Sequence, residues 1–327
     1  MAKESLKGKL NKSSFYKKKF KNSSLYFSMR YHRYLKEQKR EKRIEQKEGL
    51  EGMISYIKKW YKKATGYPLN LDNPQTINDK LAYLKIYDQS PLKVTCSDKY
   101  AVREYVADKI GKEHLIPLIK IGAKERFFDA NEIDFDKLPN QFVLSCNHGS
   151  GMTYVIDDKN RLSKRDIKII KKRLNKWLKI DYAYVGGFDF VYKGIKPCIM
   201  ISEYLSNNDN DLKDYKITCF NGDIKYFWID SVRFKGHKRN IYDVNLNKPP
   251  FKVGYFEEGN ELPPQNIDKL FEIARKLAKD FKFARIDLYD VNGHIYFGEI
   301  TLNSGGGREL IYPIEYNEIV GKELNIK

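Results

Sequence analysis

A mixed α/β (α+β) fold of about two domains is predicted by three observations in this sequence. Two runs of β-branched and aromatic residues, 214–230 and 283–300, each fold back at an Asn-Gly pair, Asn221-Gly222 and Asn292-Gly293. Asn-Gly between such runs is the strongest short-range hairpin signal, because both turn residues must take positive φ. A strand-like run at 142–146 and another at 154–156 flank a small-residue loop, Asn147-His148-Gly149-Ser150-Gly151-Met152-Thr153. Finally, segments 164–180 and 266–280 place apolar residues at helical spacing: Ile167, Ile170, Leu174, Trp177 and Leu178 in one, Leu270, Phe271, Ala274, Leu277 and Ala278 in the other.

Composition sets the outer bounds. At 327 residues and 41% hydrophobic, the chain is long enough for a sizeable core and exceeds one small module. Its four cysteines form no CxxC pair, which favours reduced, buried thiols. There is neither an apolar run of membrane-spanning length nor an apolar signal core at the start, so the expected location is cytoplasmic. The net charge of +18 is uneven: residues 1–63 hold 20 Lys/Arg against 6 Asp/Glu, a net of +14 that leaves +4 for the remainder. A nearly neutral body argues against a nucleic-acid partner for the whole protein.

Taken in order, residues 1–22 are rich in Lys, Asn and Ser and poor in apolar anchors, and disorder is expected there. The stretch 25–63 turns helical with charges of both signs. It reads as a solvated helix with i,i+4 pairs, as a polybasic arm for the inner face of an anionic plasma membrane, or as an RNA-binding arm, and nothing in it separates these. Gly66-Tyr67-Pro68 ends this helix, Asn73-Pro74-Gln75-Thr76 offers a turn and an N-cap, and 78–87 is a short helix. Residues 97–106 read as a second short helix ending near Gly111. Between β-like runs, the Gly149-Ser150-Gly151 loop is either a phosphate cradle or a plain hairpin connection. The run 197–205 is a strand ending in Glu203, and 233–240 is a basic loop.

The hairpin at 283–300 draws the rest together. Alternation puts Arg285, Asp287 and Tyr289 on one face and Ala284, Ile286 and Leu288 on the other. Whether Glu299 joins Asp287 depends on the turn. A two-residue turn at Asn292-Gly293 would set Asp287 opposite Gly298 and send Glu299 to the far side. A three-residue turn over 291–293 would set Glu299 opposite Arg285 and diagonal to Asp287, and this second geometry is the expectation. Two carboxylates so close need a cation between them.

Residues from about 64 to 321 resemble the TupA-like ATP-grasp family found among bacterial surface-polysaccharide genes. The resemblance is carried by Gly66-Tyr67-Pro68-Leu69-Asn70-Leu71 with Asn73-Pro74, Asp98-Lys99-Tyr100-Ala101-Val102-Arg103-Glu104-Tyr105 and Cys146-Asn147-His148-Gly149-Ser150-Gly151. Asp214-Tyr215-Lys216 with Cys219-Phe220-Asn221-Gly222, His237-Lys238-Arg239-Asn240, and Arg285-Ile286-Asp287-Leu288-Tyr289 with Tyr296-Phe297-Gly298-Glu299 complete it. The first 60 residues lie outside it. The resemblance implies an ATP-grasp fold, two α+β subdomains clasping a nucleotide. Expected boundaries are a basic extension (1–63), a small helical region (64–120), a subdomain with the Gly loop (121–200) and a subdomain with the metal-binding hairpin (201–327).

By resemblance, Lys99 reaches the phosphates of ATP, and His148, Gly149, Ser150 and Gly151 close over them with help from Lys216. Glu203, Tyr204 and Leu205 form the hinge for adenine and ribose. Asp287 and Glu299, with Asn303, hold Mg²⁺, a hard cation that suits oxygen ligands. Arg285, with Arg233 and His237, serves the reacting groups. The implied activity is ATP-dependent joining of a carboxylate, from a sugar acid or amino acid, to an amine. The sequence departs from the usual ATP-grasp pattern twice. Ser145 stands where a second nucleotide lysine is usual, with Lys196 or Lys216 as substitutes, and Thr301 stands where an Asn often follows the metal-binding Glu. Two other readings remain open: a glycosyltransferase using Asp209-Asn210-Asp211 for a nucleotide sugar, and a scaffold with a degenerate nucleotide site.

Overall fold

The computed structural model describes residues 24–207, 212–231, 238–254 and 256–327. Arg233, His237, the Asp209-Asn210-Asp211 run and residues 1–23, including Lys17 to Lys21, lie outside the described residues.

Two main sheets, antiparallel except for one parallel pair at the edge of the larger, supply the residues of the site. The smaller sheet has strand order β1 (Arg126–Phe127), β4 (Ile199–Glu203), β2 (Phe142–Cys146), β3 (Thr153–Ile156). Along β2 the side chains alternate. Phe142, Leu144 and Cys146 are buried against Ile170, Leu174 and Trp177 of helix α5 (Lys164–Trp177), while Val143 and Ser145 lie on the other, half-buried face. A capping box between Ser163 and Asp166 starts α5.

The larger sheet runs in the order β11 (His294–Thr301), β10 (Phe283–Val291), β5 (Asp214–Phe220), β6 (Asp223–Ser231), β7 (Lys238–Asp243), β9 (Glu257–Glu258). Helix α6 (Ile267–Ala278) covers one face, packing Leu270, Ala274 and Leu277 on Ile217, Ile286 and Leu288. That leaves Arg285 and Asp287 on the opposite face, as alternation requires. Both Asn-Gly turns have two residues, with Asn221 (φ 52) and Gly222 (φ 84), and Asn292 (φ 53) and Gly293 (φ 87), all left-handed. All four cysteines are buried and free, and burial pushes the Cys96, Cys198 and Cys219 thiols up to about 12, so they are inert.

The expected helix over 97–106 is instead two, α3 (Pro91–Ser97) and α4 (Val102–Ile110), with Asp98 at the junction. Asp98 Oδ1 accepts from the backbone N–H of Tyr100 (2.8 Å) and from Asn147 Nδ2 (2.9 Å), so the acid turns the chain and ties it to the Gly loop. Helix α2 (Ile77–Tyr87) begins at Thr76 through a capping box with Asp79, close to the expected limits.

The N-terminal helix α1 (Ser24–Thr65) is more than a solvated appendage. It bends at Gly49 (φ 59), and Tyr34, Glu41, Met53, Ile57 and Tyr61 are buried against the body. Glu41 reads as a surface charge in the sequence but is fully buried, its carboxylate accepting from the backbone N–H of Gly187 (3.0 Å) and Phe188 (2.9 Å). Charge spacing reveals a helix but cannot say which of its faces meets a partner. Among the described residues no helix is long and apolar enough to cross a membrane.

Candidate active site

The β10–β11 hairpin builds the centre of the site, by a route the sequence reading did not foresee. The turn has two residues and pairs Val291 with His294, so simple counting would put Asp287 opposite Gly298. A bulge between Leu288 and Asp287 takes up Gly298, and Asp287 pairs with Glu299 instead. The three-residue turn is therefore corrected to a two-residue turn plus a bulge. Glu299 does join the face of Asp287, directly opposite it, while Arg285 pairs with Thr301. Glycine suits the bulged position because a Cβ there would stand 2.9 Å from the Asp287 carbonyl oxygen.

Three cations surround this acidic pair. Arg285 Nε donates to Asp287 Oδ1 at 2.6 Å and Nη2 to Oδ2 at 2.8 Å, and Nη2 also reaches Glu299 Oε1 at 3.4 Å. Lys216, which pairs with Asp287 across β5–β10, donates to its carboxylate and lies 2.6 Å from Asp214 Oδ2. Lys99 comes from the α3–α4 junction, and its ammonium lies 3.3 Å from Glu299 Oε2 and 3.2 Å from the Gly149 carbonyl. Thus one ammonium ties the Gly loop of the small sheet to the acidic face of the large one.

The ionisation of these groups follows. Burial would raise the Glu299 carboxyl, but Lys99, Arg285 and Lys216 outweigh it and hold the group well below the usual carboxylate range. Burial opposes the charge on Lys216 and Arg285 as well, and their carboxylate partners, Asp287 foremost, more than restore it. The site is a preassembled set of opposite charges in which Glu299, Lys216 and Arg285 are held in their ionised forms.

The other expected residues fall in different places. The loop is gripped on two sides: Arg30 of α1 donates to the carbonyls of Ser150 (3.2 Å) and Gly151 (3.5 Å), and the Tyr182 ring lies so close that a Cβ on Gly149 would be 2.7 Å from it. His148 points into the core. Its ring nitrogens meet the Trp177 carbonyl (3.1 Å) and Asn147 Oδ1 (3.3 Å), so the side chain braces the loop rather than facing the cleft. Glu203, at the end of β4, pairs with Phe142, and Tyr204 and Leu205 follow it directly. Asn303 turns away from the acidic pair and donates to Asp189 Oδ1 at 2.5 Å. In its place, Thr301 brings its hydroxyl to Arg285 Nη2 (3.0 Å) and Glu299 Oε1 (3.4 Å). Two positions on from Glu299, it shares that residue's face, a placement the strand period could have revealed. Of the two candidate substitutes for the lysine missing at Ser145, Lys216 is committed to Asp214 and Asp287, and the Lys196 ammonium lies 4.6 Å from the Phe128 ring centroid.

Among the described residues no cluster of three or more His, Cys, Asp or Glu side chains forms a ready metal centre. The donor chemistry at Asp287 and Glu299 nevertheless fits a hard divalent cation completed by phosphate oxygens. Glu299 retains 40% side-chain exposure, and the ammonium of Lys99 now occupies the cation position beside it.

Comparison with known proteins adds the following. Several solved structures are similar over about seven-tenths of this chain. One is D-alanine–D-alanine ligase from Bacillus anthracis complexed with ATP: 16% identity, 71% of this chain and 68% of that one, TM-score 0.37. Another is the ATP-grasp ligase PsnB complexed with a minimal precursor: 10% identity, 72% and 62%, TM-score 0.38. A third is L-amino acid ligase from Bacillus licheniformis: 14% identity, 70% and 49%, TM-score 0.41. No curated protein matches the chain. The TupA-like ATPgrasp family model matches residues 79–325, three-quarters of the sequence and all of the site just described except Arg30, and the chain therefore belongs to the TupA-like ATP-grasp family.

Proposed function

We propose that this protein is an ATP-dependent carboxylate–amine ligase that works through an acyl phosphate. The observation that carries the reading is the convergence on Lys99, whose ammonium touches both the Gly-loop carbonyl of Gly149 and the carboxylate of Glu299. A triphosphate entering between the two sheets would meet the loop from one side and the acidic pair from the other. Asp287 and Glu299 would hold Mg²⁺, which when bound neutralises phosphate charge. The resemblance to a family found among surface-polysaccharide genes supports an acceptor from that chemistry, a sugar acid or amino acid, and a role in envelope assembly.

In this scheme a carboxylate oxygen of the substrate attacks the γ-phosphorus and the bond to the β,γ-bridging oxygen breaks, releasing ADP. The amine nitrogen then adds to the acyl carbon, the C–O bond to phosphate breaks, and the nitrogen loses a proton as the amide forms. Negative charge grows on the acyl oxygen during addition. Arg285, fixed by Asp287, Ser304 and Thr301, presents a preoriented guanidinium for it. Lys99, beside the Gly149 carbonyl, would present its ammonium to the transferring phosphoryl oxygens.

The test is release of ADP, rather than AMP, from Mg-ATP in the presence of paired uronic acids or amino acids and amines. Hydroxylamine trapping of a hydroxamate is expected with the correct acid alone. AMP as product, or tight binding of Mg-ATP with no ADP released by any pair, would overturn the proposal.

A further inference from the structure

The Gly-rich tail after β11 ends in Arg308, a residue the scheme above does not use. Its surroundings are built around its side chain. Asn78 of α2, itself buried, donates to the carbonyls of Gly307 (3.0 Å) and Glu309 (3.1 Å), fixing the backbone on both sides of Arg308. The guanidinium lies over the Trp60 ring of α1 with its central carbon 3.9 Å from the centroid. Trp60 is wedged in turn: a Cβ on Gly187 would stand 2.9 Å from the indole, and one on Gly306 3.5 Å from it. A long, flexible side chain is thus held flat on an aromatic face, its entropy already lost.

Yet the Arg308 guanidinium has no hydrogen bond or ion pair among the described residues, and its buried Nε is without a partner. Asp287, Glu299, Asp230 and Glu309 are all engaged by other cations, and Glu37, whose charge acts on Arg308 without an ion pair, is paired with Arg33 at 3.7 Å. The Lys85 ammonium lies 5.1 Å from the same indole ring, but it faces the carboxylates of Asp189 and Glu41. Buried donors are normally satisfied, and a fixed guanidinium with no hydrogen-bonded partner calls for one. The tail also joins this place to the reaction face, since Ser304 accepts from Arg285 Nη1 at 3.1 Å.

We infer that Arg308, seated on Trp60, is the receptor for a carboxylate group of the organic substrate. A planar guanidinium with free edges pairs bidentately with a carboxylate, and the indole offers an apolar wall to the body of such a molecule. In the scheme above the transferring phosphoryl group has Lys99 and the developing acyl oxygen has Arg285, which leaves Arg308 for a carboxylate elsewhere on the organic reactant. The inference rests on the ligase reading for the reaction, but binding tests it without turnover. Trp60 and Arg308 are brought together by α1, so residues outside the family-matched segment take part in substrate choice.

The experiment titrates the full-length protein with D-glucuronate, D-galacturonate, D-alanine and L-glutamate, each beside its carboxamide, and follows tryptophan fluorescence and calorimetric heat. At least one acid is expected to bind, and its amide to bind about tenfold or more weakly. Arg308→Gln should bring acid binding down to the level of the amide, Arg308→Lys should restore part of it, and both should leave Mg-ATP affinity within about twofold of wild type. Four results would overturn the inference: no acid binds, acid and amide bind alike, Arg308→Gln binds the acid as wild type does, or Arg308→Gln weakens Mg-ATP instead. Acid binding through Arg308 in a protein that binds no Mg-ATP would uphold this site and remove the ligase reading, so the two failures are distinguishable.

Discussion

Glu299 stands directly across the β-ladder from Asp287 only because Gly298 bulges out of the pairing that the Asn292-Gly293 turn begins. One extra residue in one strand decides whether the two acids share a face or lie on opposite sides of the sheet. Gly298→Val would press a Cβ against the Asp287 carbonyl oxygen, favour the plain register with residue 298 opposite Asp287, turn Glu299 to the far face and leave Asp287 alone. Affinity for Mg-ATP is then expected to fall by at least the ~10–100-fold that loss of a supporting residue costs a metal site, as measured by calorimetry with and without Mg²⁺. An unchanged Mg²⁺ dependence would remove the acidic pair from the site.

Lys216 and Lys99 both neutralise this pair, but their environments differ. Lys216 is 8% exposed and serves Asp214 and Asp287, which are 1% exposed each. Lys216→Met would leave two buried carboxylates short of a cation, and a loss of about 3–5 kcal/mol in unfolding free energy is expected from urea denaturation. The Lys99–Glu299 contact is part exposed, so Lys99→Met should cost less than about 1 kcal/mol of stability. Its effect should appear in nucleotide affinity. Equal stability losses from the two variants would contradict this division.

Arg30 sits outside the family-matched segment and still holds the Gly loop, through the carbonyls of Ser150 and Gly151. Arg30→Ala is expected to cost no more than about 1 kcal/mol globally, because these are surface hydrogen bonds. Amide hydrogen exchange over 149–152 should quicken relative to the wild type, while α6 should be unaffected. Unaltered exchange in the loop would show that the contact does not restrain it.

Glu41 gives a pH signature of definite sign. Burial raises its pKa, and the Phe188 and Gly187 N–H groups and Lys85 only partly offset that. An acid whose folded pKa is raised binds its proton more readily when folded, so its contribution is most favourable below the unfolded value of about 4.3 and declines as pH rises through the raised folded value. Glu41→Gln removes the titration. The melting temperature of wild type relative to Glu41→Gln should therefore fall as pH is taken from about 4 towards neutrality. Glu41→Ala strands two buried N–H groups and should cost about 1–3 kcal/mol for each. A pH-independent difference between wild type and Glu41→Gln would remove the assignment.

Much of the site was legible from local pattern. Alternation assigned Arg285 and Asp287 to one face and Ile286 and Leu288 to the other, and both Asn-Gly pairs marked turns. The family resemblance named Lys99 and the Gly loop as nucleotide-binding, and the structure puts the Lys99 ammonium 3.2 Å from the Gly149 carbonyl. The bulge was not legible, since Gly298 is equally at home in a regular strand. Neither was the exchange of Asn303 for Thr301 beside Glu299, because the direction of Asn303 is set by Asp189, 114 residues earlier in the chain. His148 looked like part of a phosphate loop, and only the packing of α5 shows its ring bonded to the Trp177 carbonyl.

By itself, then, the sequence determined the elements, their apolar faces and the family, because those depend on periodicity and on residues near one another in the chain. Tertiary structure decided which charges neutralise one another and which do not. It buried Glu41 of an apparently solvated helix, gave Asp287 both Arg285 and Lys216, and pressed Arg308 onto Trp60 without a hydrogen-bonded partner for its guanidinium. The physical reason is that the cost of a buried charge depends on partners a few ångströms away, whatever their distance along the chain.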